Sequence, residues 1–386
     1  MPERSIGMPY WRLSGYYFFH FAALGALVPF WGLYLQDRGF DPVAIGHLMA
    51  ILMGTKIVAP YLWGSIADRT GRRLSIVRLA AILALVIFAG IFVVQGFWWV
   101  ALVMVLFSFF WNAALPLMEA VTFNHLGQRV NRYAMVRVWG SVGFILAVGL
   151  LGWLLEDATT AIVPLAVLAL FLGMWLSTLV IPEAASTKRS NGHVSVRGLL
   201  RRPEIIAFLA ACACMQMSHG AYYAFYSIHL EANGYSSIMV GALWAWGVLV
   251  EVLVFMRMHW LLERFGPRRV LLVSCAIAVV RWLLIGELVG LLTVQIIAQA
   301  MHAATFGSFH ASAIHLAHHY FPGRTQVRGQ ALYNSVSFGA GGAAGSVISG
   351  YLWGSAGAGV TFAVSSLAAA AGALIAWGWI DRQRRF

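Results

Sequence analysis

Gly64-Ser65-Ile66-Ala67-Asp68-Arg69-Thr70-Gly71-Arg72-Arg73 stands between two apolar runs and constrains the fold more than any other stretch of the chain. Gly64 lets two helices approach closely. Gly71 permits a turn closed to residues that carry a Cβ, and arginines hold a short loop on the cytoplasmic side of a membrane. Asp68 is the one acid in the strip. The ten residues therefore read as a tight cytoplasmic turn between two membrane-crossing helices.

The remainder of the chain agrees. Of its 386 residues 61% are hydrophobic and 10% charged, against roughly 25% charged in a soluble domain. Apolar stretches near 13–35, 43–65, 74–94, 97–124, 134–155, 160–181, 204–231, 237–260, 270–286, 290–317, 329–353 and 357–380 each approach the ~20 residues needed to cross a bilayer. This predicts an all-α integral membrane protein of twelve helices. The first run is too long and aromatic for a cleavable signal and reads as a retained helix.

Charge follows topology. With the N-terminus in the cytoplasm, 21 of the 26 Lys and Arg fall on cytoplasmic segments, counting Arg78 in the first turns of the 74–94 run, four inside spans (Lys56, Arg137, Arg257, Arg281), and Arg38 outside. Asp37, Asp41, Glu156, Asp157, Glu231 and Glu287 fall on outer loops. Such asymmetry places both termini in the cytoplasm. The net charge of +12 then concerns orientation and anionic membrane lipid, with no nucleic-acid partner implied.

One long polar connection, 182–203, separates a first six-helix bundle, 1–181, from a second, 204–386. The second half weakly repeats the first: His259-Trp-Leu-Leu-Glu263-Arg264-Phe-Gly266-Pro-Arg268-Arg269 occupies the place of the strip, and Asn334-Ser-Val-Ser-Phe-Gly echoes Trp139-Gly-Ser-Val-Gly-Phe. Two pseudo-symmetric bundles with a site between them at mid-membrane are expected. Cys212, Cys214 and Cys275 lie within spans and read as small packing residues. No metal site is expected.

Charged residues within spans are costly and usually face a cavity or a partner. Glu119 and Arg137 stand nine residues either side of Gln128, at equal depth roughly 13 Å from the turn, which predicts an ion pair. Glu251 and Arg281 stand fifteen residues either side of Gly266 and also share a depth. His302 follows across a short outer loop.

The strip resembles the signature G-x-x-x-D-R-x-G-R-R of major facilitator superfamily transporters. In that family it joins the second and third helices, and its acid sits by the start of the eleventh, where a carboxylate suits the positive end of the helix dipole. The resemblance gives Gly64, Asp68, Arg69, Gly71, Arg72 and Arg73 a gating role. Val28-Pro-Phe-Trp-Gly-Leu-Tyr-Leu, Arg137-Val-Trp-Gly-Ser-Val-Gly-Phe, Glu251, Val280-Arg281 and Met301-His302-Ala-Ala-Thr305-Phe-Gly extend the likeness to the lactose permease and phenylpropionate permease branch. By that resemblance Glu119 and Arg137 bind substrate, while Glu251, Arg281 and His302 couple it to a proton. Thr305 stands where the lactose permease carries a protonatable glutamate. Thr305-Phe-Gly-Ser-Phe-His310 is closer to the phenylpropionate permeases, whose named substrates are aromatic carboxylates.

Further candidates follow from residue type. His302 and His310 lie deep in one helix, roughly 80° apart, and His310 joins the coupling group. His315, His318 and His319 approach the cytoplasmic end and read as interfacial anchors. His20 and His219 serve either a cavity or packing. Lys56 either binds an anion or snorkels toward water. Tyr16, Tyr222, Tyr223, Tyr226, Trp139 and Trp244 suit an apolar cavity with polar tips, and Trp139, Tyr223 and Trp244 join the substrate-binding set.

The expected function is a proton-coupled symporter of the inner, or plasma, membrane that imports a small organic substrate, with an aromatic carboxylate as first choice. It is expected to use no cofactor other than the proton gradient, since no G-x-x-x-x-G-K-[ST] loop is present. The resemblance implies a monomer and no enzyme activity. Rival readings are a symporter for a neutral sugar or nucleoside, a proton-driven drug exporter, and a non-transporting receptor. Gly140-Ser-Val-Gly-Phe-Ile-Leu-Ala-Val-Gly149 lacks the proline of the Gly-Pro-Gly-Gly cluster usual in exporters.

Overall fold

The computed structural model describes residues 8–183 and 198–380. Most of the predicted connection 182–203, with Lys188, Arg189 and Arg197, lies outside the described residues.

Bilayer physics forces the backbone to satisfy itself within each span, and the apolar runs form helices. They are α1 (Tyr10–Asp37), α2 (Pro42–Thr70), α3 (Arg73–Phe88, extended by a 3-10 turn at Ala89–Phe92), α4 (Phe97–Leu126), α5 (Tyr133–Asp157) and α6 (Ile162–Leu179). In the second half come α7 (Pro203–Ser218) and α8 (Gly220–Ala232), which together make one span, and α9 (Ser237–Phe255). After the short α10 (Met258–Phe265) and α11 (Pro267–Glu287), α12 (Leu292–Ala300) runs through a π-helical turn, Ala303–Ser308, into α13 (Phe309–Tyr320). α14 (Gln326–Asn334) runs through a second, Ser335–Gly341, into α15 (Gly342–Trp379).

Ten of the described helical segments are long and apolar enough to cross a membrane, and the last of them, Gln326–Trp379, holds 54 residues. That segment folds back at Gly357, where φ is 80° and ψ −179°. Gly341 before the bend packs on Ala213, and Gly372 after it packs on Ala211 and Cys214, so the two arms lie against the same stretch of α7. Counted as two spans, and joined by the interrupted Leu292–Tyr320 run, they complete the expected twelve.

Local chemistry sets the ends. Asp41 caps α2 by accepting from Ala44 N at 2.7 Å, with Pro42 in the first turn. Gly71 ends α2 at φ 70°, a left-handed cap that suits glycine. Pseudo-symmetry reappears in two arginines. Arg78 of α3 donates to the carbonyls of Thr178 and Ile181 at the end of α6, and Arg268 of α11 donates to those of Trp377 and Ile380 at the end of α15. Each satisfies carbonyls that a helix end leaves without partners.

The two halves meet tightly at the end opposite the strip. A Cβ on Gly46 of α2 would stand 2.8 Å from the Cα of Gly350, and one on Gly152 of α5 would stand 3.2 Å from that of Gly241 of α9. Glu156 accepts from the Ile238 amide at 3.3 Å across the same seam. At the strip end the expectation for Gly64 fails: nothing lies within 4 Å of its Cβ position. The halves are in backbone contact at the far end, and the space beside Gly64 is open.

Candidate functional site

In the first half, α1, α2, α4 and α5 bring His20, Lys56, Glu119 and Arg137 to the interior. The expected ion pair between Glu119 and Arg137 is not formed. Glu119 instead accepts from the Tyr133 hydroxyl at 2.9 Å. Arg137, one helical turn beyond Tyr133, lays its guanidinium over the Phe21 ring, 3.7 Å from the centroid, a cation–π contact that does not neutralise charge. Gly140 makes room, since a Cβ there would meet Arg137 Nη1 and Phe21 Cδ2 at 2.7 Å.

Lys56 is half-buried, and its ammonium meets the Met53 sulfur at 3.5 Å. His20 lies between Tyr16 and Trp111, at centroid distances of 5.7 and 5.3 Å, and its Nδ1 has no hydrogen-bond partner among the described residues. Trp139 points elsewhere. Its indole donates to the Tyr10 hydroxyl at 2.9 Å and packs on the exposed Trp11, at the strip end.

In the second half Glu251, Arg281 and His302, expected at related depths, divide into two sets of contacts. Glu251 Oε2 lies 3.4 Å from His302 Nε2. Gly307 permits this, because a Cβ there would stand 3.0 Å from Glu251 Cγ. Arg281 is fully buried. It donates to the Ala298 carbonyl at 2.8 Å, Thr305 Oγ1 at 2.9 Å and Gln299 Oε1 at 3.2 Å, and its guanidinium faces the rings of Tyr222 and Trp282. Thr305 thus meets the arginine with a neutral hydroxyl.

Tyr222 also donates to Gln299 Oε1, at 3.0 Å, and stacks near Trp244, whose indole donates to Ser227. Tyr223 is half-buried and stacks on His219. His310 shares a hydrogen bond of 3.0 Å with the Tyr333 hydroxyl.

Arg257, expected within a span, is exposed at the start of α10. In the strip, Asp68 accepts from Arg73 at 2.9 Å, and Arg69 and Arg72 are exposed. Cys212, Cys214 and Cys275 are free thiols. His318 meets Gln330 at 3.2 Å.

Sequence reasoning missed Tyr133, Phe21 and Gln299. Gln299 carried a signal, a polar side chain one turn before His302 in an apolar run. Phe21 carried none.

A model of the MFS_1 like family matches residues 10–364. The chain is 33% identical over 369 residues to the probable 3-phenylpropionic acid transporter of Escherichia coli (strain K12), covering 93% of this chain and 94% of that one. It is 27% identical over 340 residues to the maltose permease of Geobacillus stearothermophilus, covering 87% and 86%. The crystal structure of the nucleoside transporter NupG superposes with a TM-score of 0.84 at 16% identity, over 97% of this chain and 99% of that one, a likeness of fold.

Proposed function

The chain belongs to the major facilitator superfamily of transporters, and on that footing we propose that it is a proton-coupled symporter importing a small aromatic carboxylate by alternating access. One observation carries the reading. Arg137 and Lys56 face the interior of the first half without forming an ion pair among the described residues. A cation left unneutralised in a membrane interior is expensive and marks a binding site for an anion. The relative named as a phenylpropionic acid transporter supports the same class of cargo.

Arg137 holds the carboxylate with paired N–H donors, and Lys56 adds a second positive charge. The aromatic wall of Tyr222, Tyr223 and Trp244 receives the ring. Glu251 and His302, 3.4 Å apart, exchange the coupled proton: protonation of Glu251 removes the charge that attracts His302. The strip end lies in the cytoplasm, where the arginines hold it, and the arrangement described is then the cytoplasm-facing one.

Uptake of labelled 3-phenylpropionate into proteoliposomes tests this, with and without an imposed inward proton gradient. Accumulation only with the gradient is expected; accumulation indifferent to it overturns the coupling. A second reading, a neutral sugar or nucleoside, is favoured by Glu119, whose carboxylate is held by a tyrosine and is free to accept hydroxyls. Binding to Glu119→Gln decides between them: a polyol binds more weakly, a carboxylate as well as before.

A further inference from the structure

The seventh span is interrupted at its middle. α7 ends at Ser218 and α8 begins at Gly220, so His219 sits at the joint, fully buried. The backbone there keeps helical angles, φ −81° and ψ −8°, so the joint is a local lapse in the hydrogen bonding of one continuous span. Nδ1 of His219 lies 2.8 Å from the Met215 carbonyl. A carbonyl only accepts, so Nδ1 carries the hydrogen, and Nε2 of the neutral ring is a bare acceptor.

That acceptor has no hydrogen-bond partner among the described residues. Leaving it dry is costly, and its neighbours offer no remedy. The indole of Trp282 packs edge-on at 4.8 Å but donates its own N–H to Ser218. Tyr223 stacks at 5.8 Å and Phe306 stands edge-on at 6.4 Å. Both rings are half-buried. Phe306 stacks in turn on His302, at 5.3 Å, whose Nδ1 is likewise without a partner. Two imidazole nitrogens without partners among the described residues therefore back one aromatic wall.

We propose that the cargo carries a hydroxyl on its ring which passes between Tyr223 and Phe306 and donates to His219 Nε2, so that the transporter selects ring-hydroxylated aromatic carboxylates over unsubstituted ones. This rests on the carboxylate reading: Arg137 takes the acid and His219 the opposite end. A second carboxylate is a poor occupant, because an anion meets a lone pair. An ammonium group is a poor one too, because Lys56, Arg137 and Arg281 already supply positive charge.

The test is calorimetric titration of the purified full chain with 3-phenylpropionate and its three ring-hydroxylated isomers. At least one isomer is expected to bind about tenfold more tightly than the parent acid, since a site built for a hydroxyl discriminates against the analogue that lacks it. In His219→Phe that ratio is expected to fall to about one, and in His219→Asn, whose amide oxygen still accepts, to lie between. Melting temperatures of both variants report folding, and His219→Asn keeps the test open if His219→Phe does not fold. Equal affinity for all four acids in the parent chain overturns the inference alone and leaves a buried water as the partner of Nε2. A ratio unchanged in His219→Phe overturns it as well. Binding of none of the four overturns the carboxylate reading, and the inference with it.

Discussion

The two halves treat their interior charges differently. In the second half Arg281 is wrapped by Ala298, Gln299, Thr305 and two ring faces, and Glu251 lies against His302. In the first half Arg137 rests on Phe21, Lys56 on Met53, and Glu119 is held by Tyr133. One half supplies its arginine with hydrogen-bond acceptors of its own and sets its acid against an imidazole. The other leaves its cations on an aromatic ring and a thioether. An acid beside an imidazole is suited to passing a proton, whereas cations without acceptors gain most from a ligand.

Removing the first-half cation is expected to have the largest effect. Arg137→Gln should weaken carboxylate binding by roughly 3–5 kcal/mol, the scale of a buried pair that loses one partner. Arg137→Lys should lose much of that affinity too, because lysine is a point charge without the planar fork. Calorimetry on both variants measures this, and unchanged affinity would remove the division of labour between the halves.

Next comes the second half. Glu251→Gln should abolish accumulation driven by a proton gradient while counterflow exchange persists, because the amide keeps the shape and loses the titrating proton. Proteoliposome uptake against exchange separates the two. Loss of both in a folded variant would assign Glu251 to substrate binding and blur the contrast.

A second contrast runs between the ends of the bundle. At the far end Gly152 and Gly241 bring α5 and α9 into backbone contact. Gly241→Leu must push them apart, since even a Cβ there stands 2.6 Å from the Val148 carbonyl oxygen. Overpacking of this kind costs roughly 1–3 kcal/mol, enough to shift a two-state population several-fold to a hundredfold. The distance between spin labels at Asp157 and Gly234 should lengthen. An unchanged distance would mean that the seam yields without opening.

Much of this was legible in the chain. The apolar runs, the strip, and Gly71 as a left-handed cap follow from bilayer thickness and glycine sterics. Rotation about the helix axis was not legible. Glu119 chose Tyr133 over Arg137, one turn further along α5, and Glu251 chose His302 over Arg281. Neither the break at His219 nor the π-helical turns at Ala303–Ser308 and Ser335–Gly341 carries a proline to announce it. Such interruptions are decided by packing between helices.

Gly64 gives the smallest expected effect and the sharpest separation of structure from transport. Sequence reading assigned it a close helix contact, yet its Cβ position is empty here, while glycine backbones of the two halves touch at the far end. Both statements hold if the strip end closes when the far end opens, because alternating access then brings another helix against Gly64 in the opposite state. Gly64→Ala should therefore leave the melting temperature unchanged or slightly raised, by up to ~1 kcal/mol from helix propensity, and leave binding to this state intact. Turnover should slow several-fold, since the added methyl penalises the closed strip end alone. Stopped-flow binding beside steady-state uptake distinguishes the two quantities. Uptake at the parent rate would show that α2 never packs at Gly64, and the contrast between the two ends would reduce to a fixed difference in shape.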